Sequence, residues 1–214
     1  MKVHIFDVDH TIVRCSTVQE FIFEGLKQGV IPLSIGFWAV YFFFLYNVTG
    51  TTADRLGRSY PFFRNLTVER IESLAASTFR TRIGPKLDAA VAERLASIQK
   101  DHGRVIIASS SFDFILKPLA SLLGIEEMVV SKLELREGVT TGRMSGKPAY
   151  RSDKKDRVLE YLEQRRIRPE DCAFYSDSIH DLPLLRTVGQ PVAVNPDQRL
   201  RRVALAEGWE IVST

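Results

Sequence analysis

Phe6-Asp7-Val8-Asp9-His10-Thr11 closes a short apolar run, Lys2 to Phe6, whose β-branched and apolar residues read as a strand. Along a strand, carboxylates two residues apart share one face. At a strand's C-terminal end the chain turns, and both can converge on a site beyond the sheet edge, where open α/β sheets bind ligands. Two like charges that close are costly unless a cation or a shared proton relieves them. The pair therefore points to a divalent metal and to nucleophilic or acid–base chemistry. Taken alone, the pattern also fits an acidic turn.

Working outward, the same device recurs. Cys172-Ala173-Phe174-Tyr175 is a second strand-like run, and it leads into Asp177-Ser178-Ile179-His180-Asp181. Val105-Ile106-Ile107-Ala108-Ser109 is a third, closing on three serines. Between them Lys155 begins an amphipathic stretch with Val158, Leu159 and Leu162 at helical spacing. The coarse pattern after residue 81 alternates. Helices are expected at 86–101, 112–123, 154–165, 181–187 and 197–207, with strands at 104–109, 128–131, 172–176, 191–194 and 209–213. Leu133-Glu134-Leu135 and Thr140-Thr141-Gly142 suggest a hairpin. This alternation argues for an α/β fold with a mostly parallel, Rossmann-like sheet covered by helices on both faces. The expected domains are a core of residues 1–14 and 82–214 and an inserted all-helical cap of residues 15–81.

The order DxDxT, strand plus serine, lysine on a helix, then strand plus DSxxD resembles the haloacid-dehalogenase-like hydrolase superfamily. The insertion after the first motif resembles its phosphoserine-phosphatase-like branch. The resemblance implies a Mg²⁺-dependent phosphomonoester phosphatase that forms an aspartyl-phosphate. It gives Asp7 the role of nucleophile and Asp9 that of acid and base. It gives Ser109 and Lys155 the phosphoryl oxygens, and the metal to Asp7, Asp9 (by its carbonyl) and Asp177. Thr11 and Asp181 are supporting residues, Thr11 by orienting Asp9 or closing the turn. Lys154 rivals Lys155. Lys155 is preferred because the family's lysine precedes a buried leucine by one helical turn, as Lys155 precedes Leu159. Ser111 is expected to cap a helix. His10 and Ser176 stand where relatives often carry glycine. Ser16 stands near the position where phosphoserine phosphatases tend to carry a glutamate that binds the substrate ammonium, and the absence of that glutamate weakens phosphoserine as substrate.

Composition excludes several classes. A net charge of +3 is too mild for a nucleic-acid partner, and Arg165-Arg166-Ile167-Arg168 reads as a solvated face. Cys15 and Cys172 have no metal-like spacing, and free thiols fit a cytoplasmic setting. No cleavable leader is expected, since the first candidate catalytic residue is Asp7. No Gly-rich nucleotide loop or Walker lysine is present.

No charge falls between Gln28 and Ala53, and Ile31–Tyr46 is almost wholly apolar. A single membrane span there would put Asp7 and Asp177 on opposite sides. Two readings remain. One is a buried cap helix packing Trp38, Phe42 and Phe43. The other is a lid surface, with Trp38, Tyr41 and Tyr46, that docks peripherally on the inner membrane. The expected substrate is accordingly a small phosphorylated metabolite or a lipid phosphate, with Arg55 and Arg58 as candidate anion clamps. The competing expectation is a catalytically retired protein that binds a phosphate ligand or a partner.

Overall fold

The computed structural model describes residues 2–32, 59–145 and 152–214. Its strands are β1 (Val3–Phe6), β2 (Ser59–Thr67), β3 (Arg104–Phe112), β4 (Glu127–Arg136), β5 (Val139–Ser145), β6 (Cys172–Ser176), β7 (Gln190–Val194) and β8 (Glu210–Val212). Among the described residues the α-helices are α1 (Thr17–Lys27), α2 (Val68–Thr78), α3 (Ala89–Lys100), α4 (Asp113–Leu122), α5 (Ser152–Gln164), α6 (Leu182–Leu185) and α7 (Gln198–Glu207).

The strands form one eight-stranded sheet in the order β2-β5-β4-β3-β1-β6-β7-β8. The six from β4 to β8 in that order are parallel neighbours, and β5 and β2 add antiparallel at one edge. Central position explains the near-continuous apolar character of β1 and β6, because both faces of a parallel strand are covered. Alternation then sorts the side chains. Phe6, Ile107 and Tyr175 pack on one face, with Phe21, Leu74, Leu95 and Leu119 from α1–α4. Val3, Ile5, Ile106 and Phe174 pack on the other, with Val158, Leu162, Leu184 and Leu200 from α5–α7. In register, Phe6 lies opposite Ile107 and Tyr175. The residues just beyond these three, Asp7, Ala108-Ser109 and Ser176-Asp177, therefore come to one level, where β1 and β6 end and β3 runs on.

Three expectations need correction. First, the segment 15–81 is not helical throughout, because residues 59–67 form β2 and pair with β5. Tyr60 and Phe63 pack edge-on against Phe112 at ring-centroid distances of 5.2 and 5.0 Å. That aromatic packing rewards an extended chain despite Pro61. Second, β3 runs on to Phe112, three residues beyond the expected end, with a register irregularity after Ala108. Third, Ser111 consequently lies inside this strand and does not cap α4, whose N-cap is Phe112 without a side-chain bond.

The readings for Trp38, Tyr41, Phe42, Phe43, Tyr46, Arg55 and Arg58 lie outside the described residues. Among the described residues, no helix is long and apolar enough to cross a membrane.

Candidate active site

Asp7 follows β1 directly, and its amide donates to the Tyr175 carbonyl at 2.9 Å, which extends the β1–β6 pairing by one residue. The chain then reverses tightly. The amides of Thr11, Ile12 and Val13 all converge on the Val8 carbonyl, at 3.1, 2.9 and 3.1 Å. His10 sits at φ 58° in this turn, a left-handed conformation that glycine adopts more readily. Histidine accepts the strain of that conformation here.

The turn folds Asp9 back against the start of α1. Asp9 Oδ1 accepts from the Thr17 amide at 3.1 Å and the Thr17 hydroxyl at 2.7 Å. Thr11 does something else: its hydroxyl donates to Asp177 Oδ1 at 3.3 Å. Asp9 is thus held by Thr17 and not by Thr11, whose amide takes part in the turn instead. Nothing in the local sequence marks Thr17, because its role depends on the reversal of residues 8–13.

Lys154 lies at the centre of the site. Its Nζ is 3.0 Å from Asp7 Oδ1 and 2.8 Å from Asp181 Oδ2, and the residue is only 4% exposed. This corrects the choice of Lys155. On α5 the buried face carries Lys154, Val158 and Leu162, spaced by four. Leu159, the residue that pointed to Lys155, is only half-buried, as is Lys155 itself. The one-turn spacing holds, but the buried apolar residue is Val158. Asp181 also accepts from the Ser176 hydroxyl at 2.7 Å. Its carboxylate thus faces the site and leaves α6 uncapped. Asp197 ties down the loop that carries Asp177, accepting from the Ile179 amide at 2.8 Å while its own amide donates to the Asp177 carbonyl at 2.8 Å.

Ser109 is fully buried, and its Oγ accepts from the Ser111 amide at 3.2 Å. The structure therefore brings Asp7, Asp9, Thr11, Asp177 and Asp181 to one sheet edge with Ser109, and substitutes Lys154 for Lys155.

The electrostatics of this cluster are those of excess negative charge. Burial raises the Asp7 carboxyl well above the usual range. Lys154 counters this, and Asp181, Asp177 and Asp9 reinforce it. Burial also raises Asp9, against the pull of the two Thr17 bonds. Asp177 is pushed up to about 6, mainly by burial. Burial would lower the Lys154 ammonium, but Asp181 and Asp7 outweigh it and hold the ammonium above its ordinary value. Lys154 alone does not balance these carboxylates.

A divalent cation fits that imbalance. Among the described residues no three His, Cys, Asp or Glu side chains are grouped to hold a metal. A site here would draw on the Asp7 and Asp177 carboxylates, the Asp9 carbonyl and water. An oxygen-only set with several waters suits Mg²⁺.

The chain is similar to several known proteins. Among curated relatives, the inhibition of morphological differentiation protein of Streptomyces azureus is 30% identical over 216 residues, spanning 97% of this chain and 76% of the relative. A probable phosphatase of Mycobacterium tuberculosis is 28% identical over 212 residues, spanning 97% of this chain and 74% of the relative. Among solved structures, a protein of unknown function from Bordetella pertussis Tohama I superposes with a TM-score of 0.87 at 24% identity, covering 98% and 97% of the two chains. A substrate-bound phosphoserine phosphatase superposes with a TM-score of 0.66 at 18% identity, covering 99% and 92%. At those identities the two structures speak to the fold. The family model for haloacid dehalogenase-like hydrolases matches residues 5–186, from inside β1 to just past α6, and the chain belongs to that family.

Proposed function

We propose that this chain is a Mg²⁺-dependent phosphomonoester phosphatase acting through an aspartyl-phosphate on Asp7. The observation that carries the reading is Lys154, a buried ammonium held between Asp7 and Asp181 at the edge where Asp9, Ser109 and Asp177 also end. A buried lysine so placed neutralises an incoming phosphoryl group as it does the Asp7 carboxylate. The metal, when bound by Asp7, Asp177 and the Asp9 carbonyl, supplies positive charge that offsets repulsion between the carboxylates and an anionic substrate.

The chain's own groups then divide the chemistry. An Asp7 carboxylate oxygen attacks phosphorus, the ester P–O bond breaks, and Asp9 gives its proton to the departing alkoxide oxygen. In the second step water attacks phosphorus while Asp9 takes a water proton. The P–O bond to Asp7 breaks, which releases inorganic phosphate and restores the carboxylate. The raised Asp9 carboxyl suits a group that must hold and release a proton. Ser109 contributes a buried hydroxyl for a phosphoryl oxygen.

The substrate class is a small phosphorylated metabolite. Ser16 offers no carboxylate for an ammonium group, which argues against phosphoserine. A panel of phosphomonoesters, including lipid monoesters in detergent, assayed with and without Mg²⁺, tests the reading. Metal-dependent phosphate release from at least one ester is expected. A folded, Mg²⁺-binding protein that releases none would favour a retired phosphate-binding protein.

The metal assignment has its own pH signature. The Asp177 carboxyl, at about 6, must lose its proton to serve as a ligand. Below that pH, protons compete with the metal. The Mg²⁺ concentration for half-maximal phosphate release is therefore expected to rise on acidification below pH 6, by up to about tenfold per unit for each ligand carboxyl that must lose a proton, Asp7 included. An Mg²⁺ requirement that stays flat through this range would remove Asp177 from the ligand set.

A further inference from the structure

We propose that Thr17 is a positioning residue for Asp9, held in turn by Ser111, and that this chain of hydrogen bonds fixes which carboxyl oxygen of Asp9 meets the leaving group. The inference rests on the phosphatase reading and deepens it.

Thr17 is a polar side chain with no solvent exposure, at the first position of α1. Its hydroxyl lies 2.7 Å from Asp9 Oδ1 and 2.7 Å from Ser111 Oγ. A hydroxyl has one hydrogen. Against a carboxylate that hydrogen goes to Asp9, so Ser111 donates to Thr17. The Thr17 amide adds a second donor to the same Oδ1 at 3.1 Å.

An oxygen that already accepts an N–H and an O–H is the carbonyl-type oxygen of a protonated carboxyl group. The transferable proton of Asp9 therefore sits on Oδ2. Thr11 cannot replace Thr17, because its own hydroxyl is spent on Asp177. Ser111 has a second task. Its amide donates to Ser109 Oγ at 3.2 Å, which leaves the Ser109 hydroxyl hydrogen for a phosphoryl oxygen. One buried serine thus orients both the acid–base group and the phosphate-binding hydroxyl.

The test compares kcat/KM for an aryl phosphate, p-nitrophenyl phosphate, with that for a primary alkyl phosphate turned over by the wild type. This quantity reports the first chemical step, where protonation matters little for a phenolate leaving group and greatly for an alkoxide. Thr17→Val keeps the β-branched shape and the amide bond but loses the hydroxyl. Its kcat/KM for the alkyl ester is expected to fall about 30- to 100-fold, against no more than about threefold for the aryl ester. Thr17→Ser should restore both to within about threefold. Ser111→Ala should shift the ratio in the same direction by a smaller factor.

Equal losses on both esters, or a serine variant as impaired as valine, would overturn the proposal and leave Thr17 a packing residue. A wild type that releases phosphate from no ester of the panel would instead overturn the phosphatase reading on which the proposal stands.

Discussion

Replacing Asp7 with asparagine is expected to lower phosphate release on the order of 10⁴-fold or more while leaving the protein folded. The amide has the shape of the carboxylate but cannot attack phosphorus. Stability should hold because Lys154 keeps its 2.8 Å bond to Asp181. Burial already disfavours the Asp7 charge, so removing it costs the fold little. Circular dichroism and thermal unfolding, run beside the phosphate-release assay, check both halves. A variant retaining more than a few per cent of activity would mean that another group is the nucleophile.

The second large effect separates two adjacent lysines. Lys154→Met should reduce kcat on the order of 10³-fold, since the buried cation at the phosphoryl site is lost. It should also destabilise the protein by about 3 kcal/mol, because Asp7 and Asp181 are left buried without their partner. Lys155→Met should change kcat by less than about threefold and stability by less than about 0.5 kcal/mol, as for surface positions generally. Equal effects at the two positions would contradict the placement of the lysine on α5.

The contrast between these lysines also shows how far the sequence could be read. β1, β3 and β6 were legible because each is an apolar run ending in polar residues. Central parallel strands, covered on both faces, must read that way. Their order along the chain then placed Asp7, Ser109 and Asp177 at one edge without any knowledge of side-chain geometry. The lysine was off by one position for a helical reason. Neighbouring residues differ by about 100° around the axis. With Val158 and Leu159 both apolar, spacing alone could not say which one faced the core.

β2 was hidden for a different reason. Ser59–Thr67 contains a proline, an arginine and an asparagine at φ 60°, and its pairing with β5 is irregular. Such a strand is stabilised by aromatic contacts from Phe112 and its neighbours, which no local pattern reports. Thr17 was invisible on the same grounds. Its partners are Asp9, eight residues back, and Ser111, ninety-four residues ahead. A hydrogen bond of that kind exists only once the sheet has brought β3 beside β1.

The most direct test of the account is to trap the enzyme during turnover. A phosphomonoester from the panel would be mixed with protein and Mg²⁺, quenched in acid within the first turnovers, reduced with borohydride and digested. Mass spectrometry of the peptide containing Asp7 then reads the outcome. The account predicts reduction of the Asp7 side chain to the alcohol, which only an acyl phosphate undergoes under these conditions, and no such change in Asp7→Asn. Turnover with Asp7 unmodified at every quench time, or a modified residue elsewhere, would contradict it.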